Sequence, residues 1–354
     1  MSQTILLSPT LMLQKIDSIR FDPEYLPAAH SAIHTCLRLQ PSETITIITD
    51  EFTQDIAASL YQQVVSLGAK AYVFVLEDLV PRPMAGMPRE VLDALEESHV
   101  SIFCAQAQTG ELTARRQMSD VVNRRKIRHA HMVNINHQIM MEGMRADFLA
   151  IDKLSQQLVT KARQAKTIRV KSRAGTDIVG HFTPDLAWLK TSGIISPDKW
   201  GNLPGGEIFT SPARVDGTFV TDGVVGDYLC VKYGVLEKTP LVIEIVNSRI
   251  RSLKCDNKEL LDEFNLYTHT DENSDRVGEF AIGTNLAVKN VIGHILQDEK
   301  IPGIHIAFGH PYSEHTGADW VSTTHIDCVA LHCDIWFDEE KVMEDGEFIF
   351  PREA

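Results

Sequence analysis

The sequence has few cysteines and no pattern among them. Six are spread over 354 residues, and no two form a Cys-x-x-Cys pair. This spacing argues against a disulfide framework and against a zinc site built from thiolates. Scattered single cysteines are typical of free thiols in a reducing compartment, so we expect a cytoplasmic protein.

Positive charge and long apolar segments are also scarce. The 34 basic residues are outnumbered by 48 acidic ones, which gives a formal net charge of −14. Such a chain repels phosphate backbones, so we expect no nucleic-acid partner. No apolar run approaches the roughly 20 residues that a membrane helix needs. The first residues lack the basic patch and the cleavage site of a secretory signal. We therefore expect no membrane partner.

The first part of the chain alternates between strand-like and helix-like segments. Apolar runs rich in β-branched residues, such as "TITIITD" and "AKAYVFVLED", are separated by segments with helical spacing, such as "FTQDIAASLYQQVVSLG". This alternation predicts an α/β domain of the doubly wound, Rossmann-like type, with a parallel sheet covered by helices on both faces. Neither GxGxxG nor GxxxxGK[ST] occurs, so nothing indicates a nucleotide.

After a predicted amphipathic helix over 142–166, the sequence pattern changes from alternating strands and helices to mostly short strands. Short β runs with turn signals then recur, from "TIRVKSRAGTDIVGHF" to "THIDCVALHCDIWF". Helical spacing is confined to 257–267 and 285–296. We therefore predict two domains, 1–160 (α/β) and 161–354 (a β-rich mixed α+β domain).

Histidines are concentrated in the second half of the chain. Seven of the fourteen fall between 269 and 332, interleaved with carboxylates. In "HID", His325 and Asp327 lie two apart in a strand-like run, so both side chains point to the same face. Histidine and carboxylate donors suit a divalent metal bound by nitrogen and oxygen.

Four segments carry the candidate metal ligands. Three of them, besides "HID", are "NLPGGEIFTSP" with Glu207, "RVGEFAIGTN" with Glu279, and "GIHIAFGHPY" with His305 and Tyr312. Each has an ordinary explanation when taken singly: a surface glutamate, a glutamate buried beside an arginine, or a core histidine with its hydrogen bonds made. Together they provide a carboxylate-rich set of the kind that holds two metals about 3.5–4 Å apart.

Read together, these segments resemble the metallo-aminopeptidases of the M29 family over roughly residues 142–349. The resemblance implies a two-metal centre (Zn²⁺, Co²⁺ or Mn²⁺), removal of N-terminal residues from peptides, and a homodimer. It implies that Tyr312 is the active-site tyrosine, and that either Glu207 or Glu279 is the general base. The metal ligands that it implies are Glu207, Glu279, His305, His325 and Asp327.

In length and in sequence pattern the chain also resembles the 2,5-dihydroxypyridine 5,6-dioxygenases, a branch of the same superfamily. These enzymes use one Fe²⁺ held by two histidines and an aspartate, an arrangement that suits O₂ chemistry. Here His325 and Asp327 would supply two ligands, and His269 or His305 the third. Because this sequence has both glutamates of the peptidase pattern, Glu207 and Glu279, we rank hydrolysis above ring cleavage. A non-catalytic metal-binding relative is a third reading, since a fold does not fix activity.

Several nearby residues are secondary candidates. Asp319 and Glu314 are candidates to hold the ammonium group of a peptide substrate, although Asp319 after Gly317 also fits a simple turn. His315 is a candidate to orient a ligand or to contact substrate. Cys328 alternates away from the "HID" face, so we expect it to pack in the core.

Overall fold

The structure is a computed structural model that describes residues 9–198 and 201–350. Within these ranges the chain divides into two compact units, one formed by residues 9–149 with 193–198 and 201–205, and the other by residues 150–192 with 206–350. No helix in the described ranges is both long enough and apolar enough to span a membrane. The two units are described in turn, with elements numbered in chain order.

The first unit has an alternating α/β architecture. Its α-helices α1 to α6 are Pro9–Ser18, Leu26–His30, Gln54–Leu67, Arg89–Glu96, Leu112–Arg125 and His137–Met141. Shorter 3-10 or π turns are Pro23–Tyr25, Ser31–Cys36, Leu76–Asp78 and Gly143–Arg145. Its strands β1 to β4 and β8 are Thr44–Thr49, Lys70–Val75, Val100–Phe103, Arg128–His131 and Gly201–Asn202.

These strands form one parallel sheet in the order β2-β1-β3-β4-β8. Strand β1 is almost wholly buried, which explains its β-branched and apolar composition. Helix α3 ends at Gly68, whose φ of 77° is a left-handed value that glycine adopts without strain. The predicted α/β domain with a parallel sheet is confirmed.

A buried ion network lies where strand β1 ends. Arg82, with only 2% of its side chain exposed, pairs with Asp50 at 2.9 Å and with Glu111 at 2.5 Å. Asp50 also accepts a hydrogen bond from the backbone N–H of Gln106, which follows strand β3. In doubly wound sheets the crevice beyond the carboxyl ends of such strands usually receives a ligand. Here the charged side chains of Arg82, Asp50 and Glu111 lie at that edge of the sheet.

The second unit is β-rich. Its strands β5 to β7 are Thr167–Ser172, Asp177–His181 and Leu189–Lys190, and β9 to β13 are Glu207–Thr210, Arg214–Thr221, Leu241–Val246, Arg249–Lys254 and Val277–Gly283. Strands β14 to β18 are Gly303–Gly309, His325–Ala330, Cys333–Phe337, Glu340–Glu344 and Glu347–Phe348. Helices α7 to α11 are Phe148–Ala162, Asp227–Tyr233, Lys258–Tyr267, Ile295–Asp298 and Ser313–Thr316.

The strands of this unit form two sheets with antiparallel pairing. One sheet has eight strands in the order β12-β11-β10-β6-β5-β16-β17-β18, and the other has five in the order β15-β14-β13-β9-β7. Apolar side chains from both sheets and from helices α7 and α9 form a shared core, among them Val170, Ile243, Phe280, Ile306 and Phe264. The predicted β-rich C-terminal domain is confirmed.

The division between the units lies at 149–150, before the position near 160 that the sequence suggested. Helix α7 starts only at Phe148 and is shorter than the predicted helix over 142–166. Its apolar face, including Leu154 and Leu158, packs in the core of the second unit. The helix therefore belongs to that unit.

Candidate metal centre

The candidate ligands converge on one face of the five-stranded sheet. Strand pairing places Glu207 opposite Gly283, and His305 opposite Ala281, so that Glu207, Glu279 and His305 share a face. On the edge strand β15, Asp327 pairs with Ala307 and His325 with Gly309, which brings both to that face. Five residues separated by up to 120 positions in the sequence are thereby brought together.

The opposite face of the same strands is apolar. Ile208, Phe280, Ile306 and Cys328 alternate with the polar residues and are buried in the core. Cys328 is fully buried, as its alternation predicts. Burial of this apolar face fixes the register of each strand, because a slip by one residue would exchange the two faces.

Two glycines allow the backbone approaches that position the glutamates. Gly206, next to Glu207, has a φ of +132°, and a Cβ there would lie 2.9 Å from the backbone nitrogen of Asn285. A Cβ on Gly278, next to Glu279, would lie 2.1 Å from the carbonyl oxygen of Gly309. Only glycine fits at either position, which explains the "PGGE" and "VGE" contexts of the two glutamates.

His305 lies at the centre of the cluster. Its Nε2 is 3.4 Å from Oε1 of Glu279 and 3.5 Å from Oε2 of Glu207. The Nε2 of His325 is 3.3 Å from Oδ1 of Asp327 and 3.7 Å from Oε2 of Glu279. Glu279 thus links the two histidines. The side chain of His305 is 2% exposed, and its buried Nδ1 has no hydrogen-bond partner within the described part of the chain.

The sequence reasoning missed two charged residues of the cluster, Glu299 and Lys300. Nζ of Lys300 lies 2.7 Å from Oε1 of Glu207 and 2.5 Å from Oε1 of Glu299, and the lysine side chain is 2% exposed. Thr191 donates a further hydrogen bond of 2.7 Å to Oε1 of Glu207. The available signal was the adjacent pair "EK" just before a strand-like run, where solvent-facing charges are equally common.

The surroundings orient His325. Its Nδ1 is 3.0 Å from the carbonyl oxygen of His310, so this nitrogen donates and Nε2 is left to bind a metal. The hydroxyl of Tyr267 donates to the carbonyl oxygen of His325 at 3.2 Å. The ring of Tyr312 lies beside the imidazole, with centroids 5.0 Å apart.

Asp271 fixes the segment that leads into strand β15. Its carboxylate accepts hydrogen bonds from the backbone N–H of Thr323 at 2.7 Å and from the hydroxyl of Ser322 at 3.0 Å. Although partial burial opposes it, these hydrogen bonds hold the pKa of Asp271 well below its usual range. The start of the "HID" strand is therefore held by a charged residue of the loop after α9.

The electrostatics of the cluster are dominated by its carboxylates. Burial alone would lower the pKa of His305 and of His325. Glu279 and Glu207 outweigh that effect and raise the pKa of His305 to about 9, and Asp327 and Glu279 raise that of His325 to about 10. Burial and the charges of Asp327 and Glu207 raise the pKa of Glu299 to about 7. Burial also raises the pKa of Tyr312 well above 10, assisted by the nearby carboxylates, so its phenol stays protonated.

This donor set fits divalent metal ions. Two groups have donor atoms within 4.8 Å of one another, Glu207 with Glu279 and His305, and Glu299 with His305 and Asp327. Ligand atoms at roughly 2.0–2.1 Å from a tetrahedral zinc lie about 3.3 Å apart. The nitrogen-to-oxygen distances around His305 and His325 are close to that value. Nitrogen and carboxylate donors without thiolate suit Zn²⁺, Co²⁺, Mn²⁺ or Fe²⁺.

The remaining candidates lie outside these two groups. His269 is exposed, and its Nδ1 is 2.7 Å from the carbonyl oxygen of Asn265. His315 is half exposed and lies 3.9 Å from Glu314. Asp319 is exposed. The geometry therefore brings together the six main candidates, with Tyr312 beside His325, and leaves these three at the periphery.

Comparison with known proteins agrees with this architecture. Two solved structures share the fold over nearly their whole length, although each is only 16% identical to this chain. Wild-type AmpT from Thermus thermophilus has a TM-score of 0.69, with 92% of this chain and 99% of that chain covered. The 2,5-dihydroxypyridine dioxygenase from Pseudomonas putida KT2440 has a TM-score of 0.67, with 93% and 98% covered. Comparison with curated protein sequences gave no match.

The fold and its carboxylate-rich face define a protein with a candidate metal-binding site. The family model for thermophilic metalloproteases (M29) matches residues 148–330, which is more than half of the chain. The chain therefore belongs to the M29 metalloprotease family, as the resemblance of the four segments predicted.

Metal binding should depend on pH because the two histidines hold protons in the metal-free protein. With pKa values raised to about 9 and 10, His305 and His325 are both protonated at pH 7, and each must lose its proton to bind a metal. We expect Zn²⁺ binding at pH 7 to release about two protons from the histidines and a further fraction from Glu299, and affinity to rise about tenfold per pH unit for each proton released, up to roughly pH 9.

Calorimetric titration in buffers of different ionisation enthalpy measures this release. The His30→Asn variant, which alters an exposed histidine of the first unit, should leave the proton count unchanged. A dissociation constant that is flat between pH 6.5 and 9 would contradict the raised pKa values of the two histidines.

Proposed function

We propose that the protein is a metal-dependent hydrolase of the aminopeptidase type, acting on the N-terminal amide of small peptides or on a related small amide. The observation that carries this proposal is that carboxylate oxygens of both Glu207 and Glu279 lie within 3.5 Å of Nε2 of His305. A site for a single iron ion needs only two histidines and one carboxylate. Four carboxylates on two donor groups that share His305 support a centre for two ions.

Within this proposal each residue has a distinct task. Glu207, Glu279, His305, His325 and Asp327 hold the metal ions, whose chemistry is to activate water and to polarise the scissile carbonyl group. Either Glu207 or Glu279 accepts the proton of the attacking water. Because the phenol of Tyr312 stays neutral, it donates a hydrogen bond to the oxyanion that develops on the carbonyl oxygen.

The variant Glu207→Gln distinguishes a two-ion hydrolase from a single-iron enzyme. It removes the charge of one donor group without changing the size of the side chain, and leaves His325 and Asp327 intact. We expect the metal content to fall from about two ions to about one per chain, and anaerobic hydrolysis of leucyl-4-nitroanilide to fall at least ~100-fold. Elemental analysis and the release of nitroaniline measure the two effects.

The control for this variant is Glu339→Gln, at an exposed glutamate in the turn between β16 and β17. It should retain the wild-type metal content and rate. If Glu207→Gln kept both as well, the two-ion centre would be excluded.

A ring-cleaving Fe²⁺ dioxygenase is the second candidate function. One observation favours it: His269 and His325 line the same cavity, and Asp327 lies next to His325. In this alternative the third ligand is His269 or His305. Such an enzyme would hold one iron per chain, consume O₂ with 2,5-dihydroxypyridine, and lose activity on oxidation, whereas the hydrolase works without O₂.

The setting in which the protein acts is also a proposal. All six cysteines are free thiols, which supports a reducing compartment such as the cytoplasm. The net charge of −14 supports small substrates over nucleic acids or anionic membranes as partners. The homodimer is proposed from the family resemblance.

A further inference from the structure

Lys300 places a positive charge of the protein itself inside the candidate metal centre. Its Nζ lies 2.7 Å from Oε1 of Glu207 and 2.5 Å from Oε1 of Glu299, and its side chain is only 2% exposed. Two carboxylate partners at these distances favour the charged ammonium group over the neutral amine. A metal ion that binds to either glutamate therefore meets a cation that is already there.

The backbone holds this lysine in place. The N–H of Lys300 donates to the carbonyl oxygen of Gln297 at 2.9 Å, and the carbonyl oxygen of Lys300 accepts from the N–H of Asn285 at 2.9 Å. Gly283, at the end of strand β13, approaches the same segment so closely that a Cβ on it would lie 1.9 Å from the carbonyl oxygen of Ile301. The ammonium group therefore reaches the carboxylates from a fixed point of the backbone.

The lysine does not act equally on the four carboxylates of the cluster. Its ion pairs take one carboxylate from each of the two donor groups described above, Glu207 from the first and Glu299 from the second. The ion pairs of the other two carboxylates, Glu279 and Asp327, are with the two histidines, at 3.3 to 3.7 Å. The carboxylates thus divide into two that the lysine holds and two that the histidines hold.

The donors that are not paired with the lysine suffice for one ion. They are two imidazoles and two carboxylates, namely Glu279, His305, His325 and Asp327. Four donors of this kind match the coordination number of a tetrahedral zinc site. A second ion needs Glu207 or Glu299, and either carboxylate must exchange its ammonium partner for the ion. The second ion is also repelled by the ammonium group that remains close by.

We propose that Lys300 makes the two ion positions unequal. One ion binds tightly to the four donors that are not paired with the lysine, and the second binds weakly at Glu207, in competition with the ammonium group of Lys300. This inference rests on the proposed two-ion hydrolase and gives Lys300 a task that the proposed function leaves unassigned. The second position then fills only when divalent metal is in good supply, while the first stays occupied.

The test is a titration of the metal-free protein with Zn²⁺ in competition with a chelator of known affinity. We expect the wild type to bind two ions in separate steps, with the second dissociation constant at least ~100-fold larger than the first. Lys300→Gln and Lys300→Met both remove the charge, and only glutamine keeps a hydrogen-bond donor. In both variants the second dissociation constant should fall at least ~10-fold, and the first should change less than ~3-fold.

The matched control is Lys289→Met, which removes the same charge at an exposed lysine and should leave both constants as they are. Glu207→Gln tests the order of binding with the lysine intact. It should lose the second step and keep the first dissociation constant within ~3-fold. Circular dichroism of each metal-free variant checks that it is folded.

The outcomes separate this inference from the proposed function. Two ions bound with equal affinity by the wild type, a second constant that is unchanged in folded Lys300→Gln, or a first step weakened ~10-fold by Glu207→Gln would each overturn the inference while the two-ion hydrolase stands. If the wild type and Lys300→Gln both saturate at one ion, the two-ion centre fails, and the inference falls with it. If only Lys300→Gln reaches two ions, the lysine excludes the second ion, which supports its role and refutes a two-ion wild type.

Discussion

Replacing Asp327 with asparagine should abolish activity while the protein stays folded. The amide keeps the size of the side chain but removes the charge that faces Nε2 of His325 at 3.3 Å. His325→Ala removes the partner imidazole and should have the same outcome. We expect kcat/KM to fall at least ~1,000-fold, which corresponds to about 4 kcal/mol of transition-state stabilisation, together with loss of bound metal.

Activity, elemental analysis and circular dichroism measure these effects. Asp256→Asn, the same substitution at an exposed aspartate before helix α9, serves as the control and should behave as wild type. Full activity in both Asp327→Asn and His325→Ala would remove the metal centre from the mechanism altogether.

Replacing Lys300 with methionine should destabilise the metal-free protein more than the metal-loaded one. In the metal-free state Lys300 is the cation nearest to both Glu207 and Glu299, whose side chains are only 9% and 12% exposed. Leaving buried charges without their partner costs ~3–5 kcal/mol. For a unit of this size that lowers the melting temperature by roughly 6–20 °C.

Added Zn²⁺ should raise the melting temperature of Lys300→Met more than that of the wild type. In the variant, the positive charge of the ion replaces that of the missing lysine. Thermal unfolding with a chelator and with Zn²⁺ gives both values. Lys289→Met, at an exposed lysine, is the control. An unchanged melting temperature of metal-free Lys300→Met would mean that the ion pairs contribute no net stability.

The alternation of side chains between the two faces of a sheet could be predicted from the sequence of single strands. "HID" placed His325 and Asp327 on one face and Cys328 on the other, and the structure has them so. The buried strands of the first unit were equally clear, because β-branched runs such as "TITIIT" have no other stable environment.

Features that depend on tertiary contacts could not be predicted from local sequence patterns. Helix α5, Leu112–Arg125, was missed because its sequence is rich in polar residues and its buried positions are few. The helix predicted over 285–296 is wrong for most of its length. The carboxylate of Asp298 accepts hydrogen bonds from the backbone N–H groups of Ile292, Gly293 and His294, which holds that segment in a loop.

The convergence of the site depends on strand order, which local patterns do not give. Glu207 reaches His305 only because β9 and β14 flank β13. Likewise, no local signal shows that Glu299 and Lys300 are buried, because the strands and loops that cover them come from distant parts of the chain.

The two-sided sheet has a consequence for how the centre can form. The candidate ligands and the apolar core residues occupy opposite faces of the same strands. If one strand were paired one residue out of register, its core residues and its ligands would therefore both point to the wrong face. A partly folded molecule therefore lacks the complete set of ligands. Binding of a divalent ion then indicates that the strands of this sheet have their native register. Tight metal uptake is then also a readout of correct maturation, which would make metal content a sensitive measure of folding defects elsewhere in this sheet.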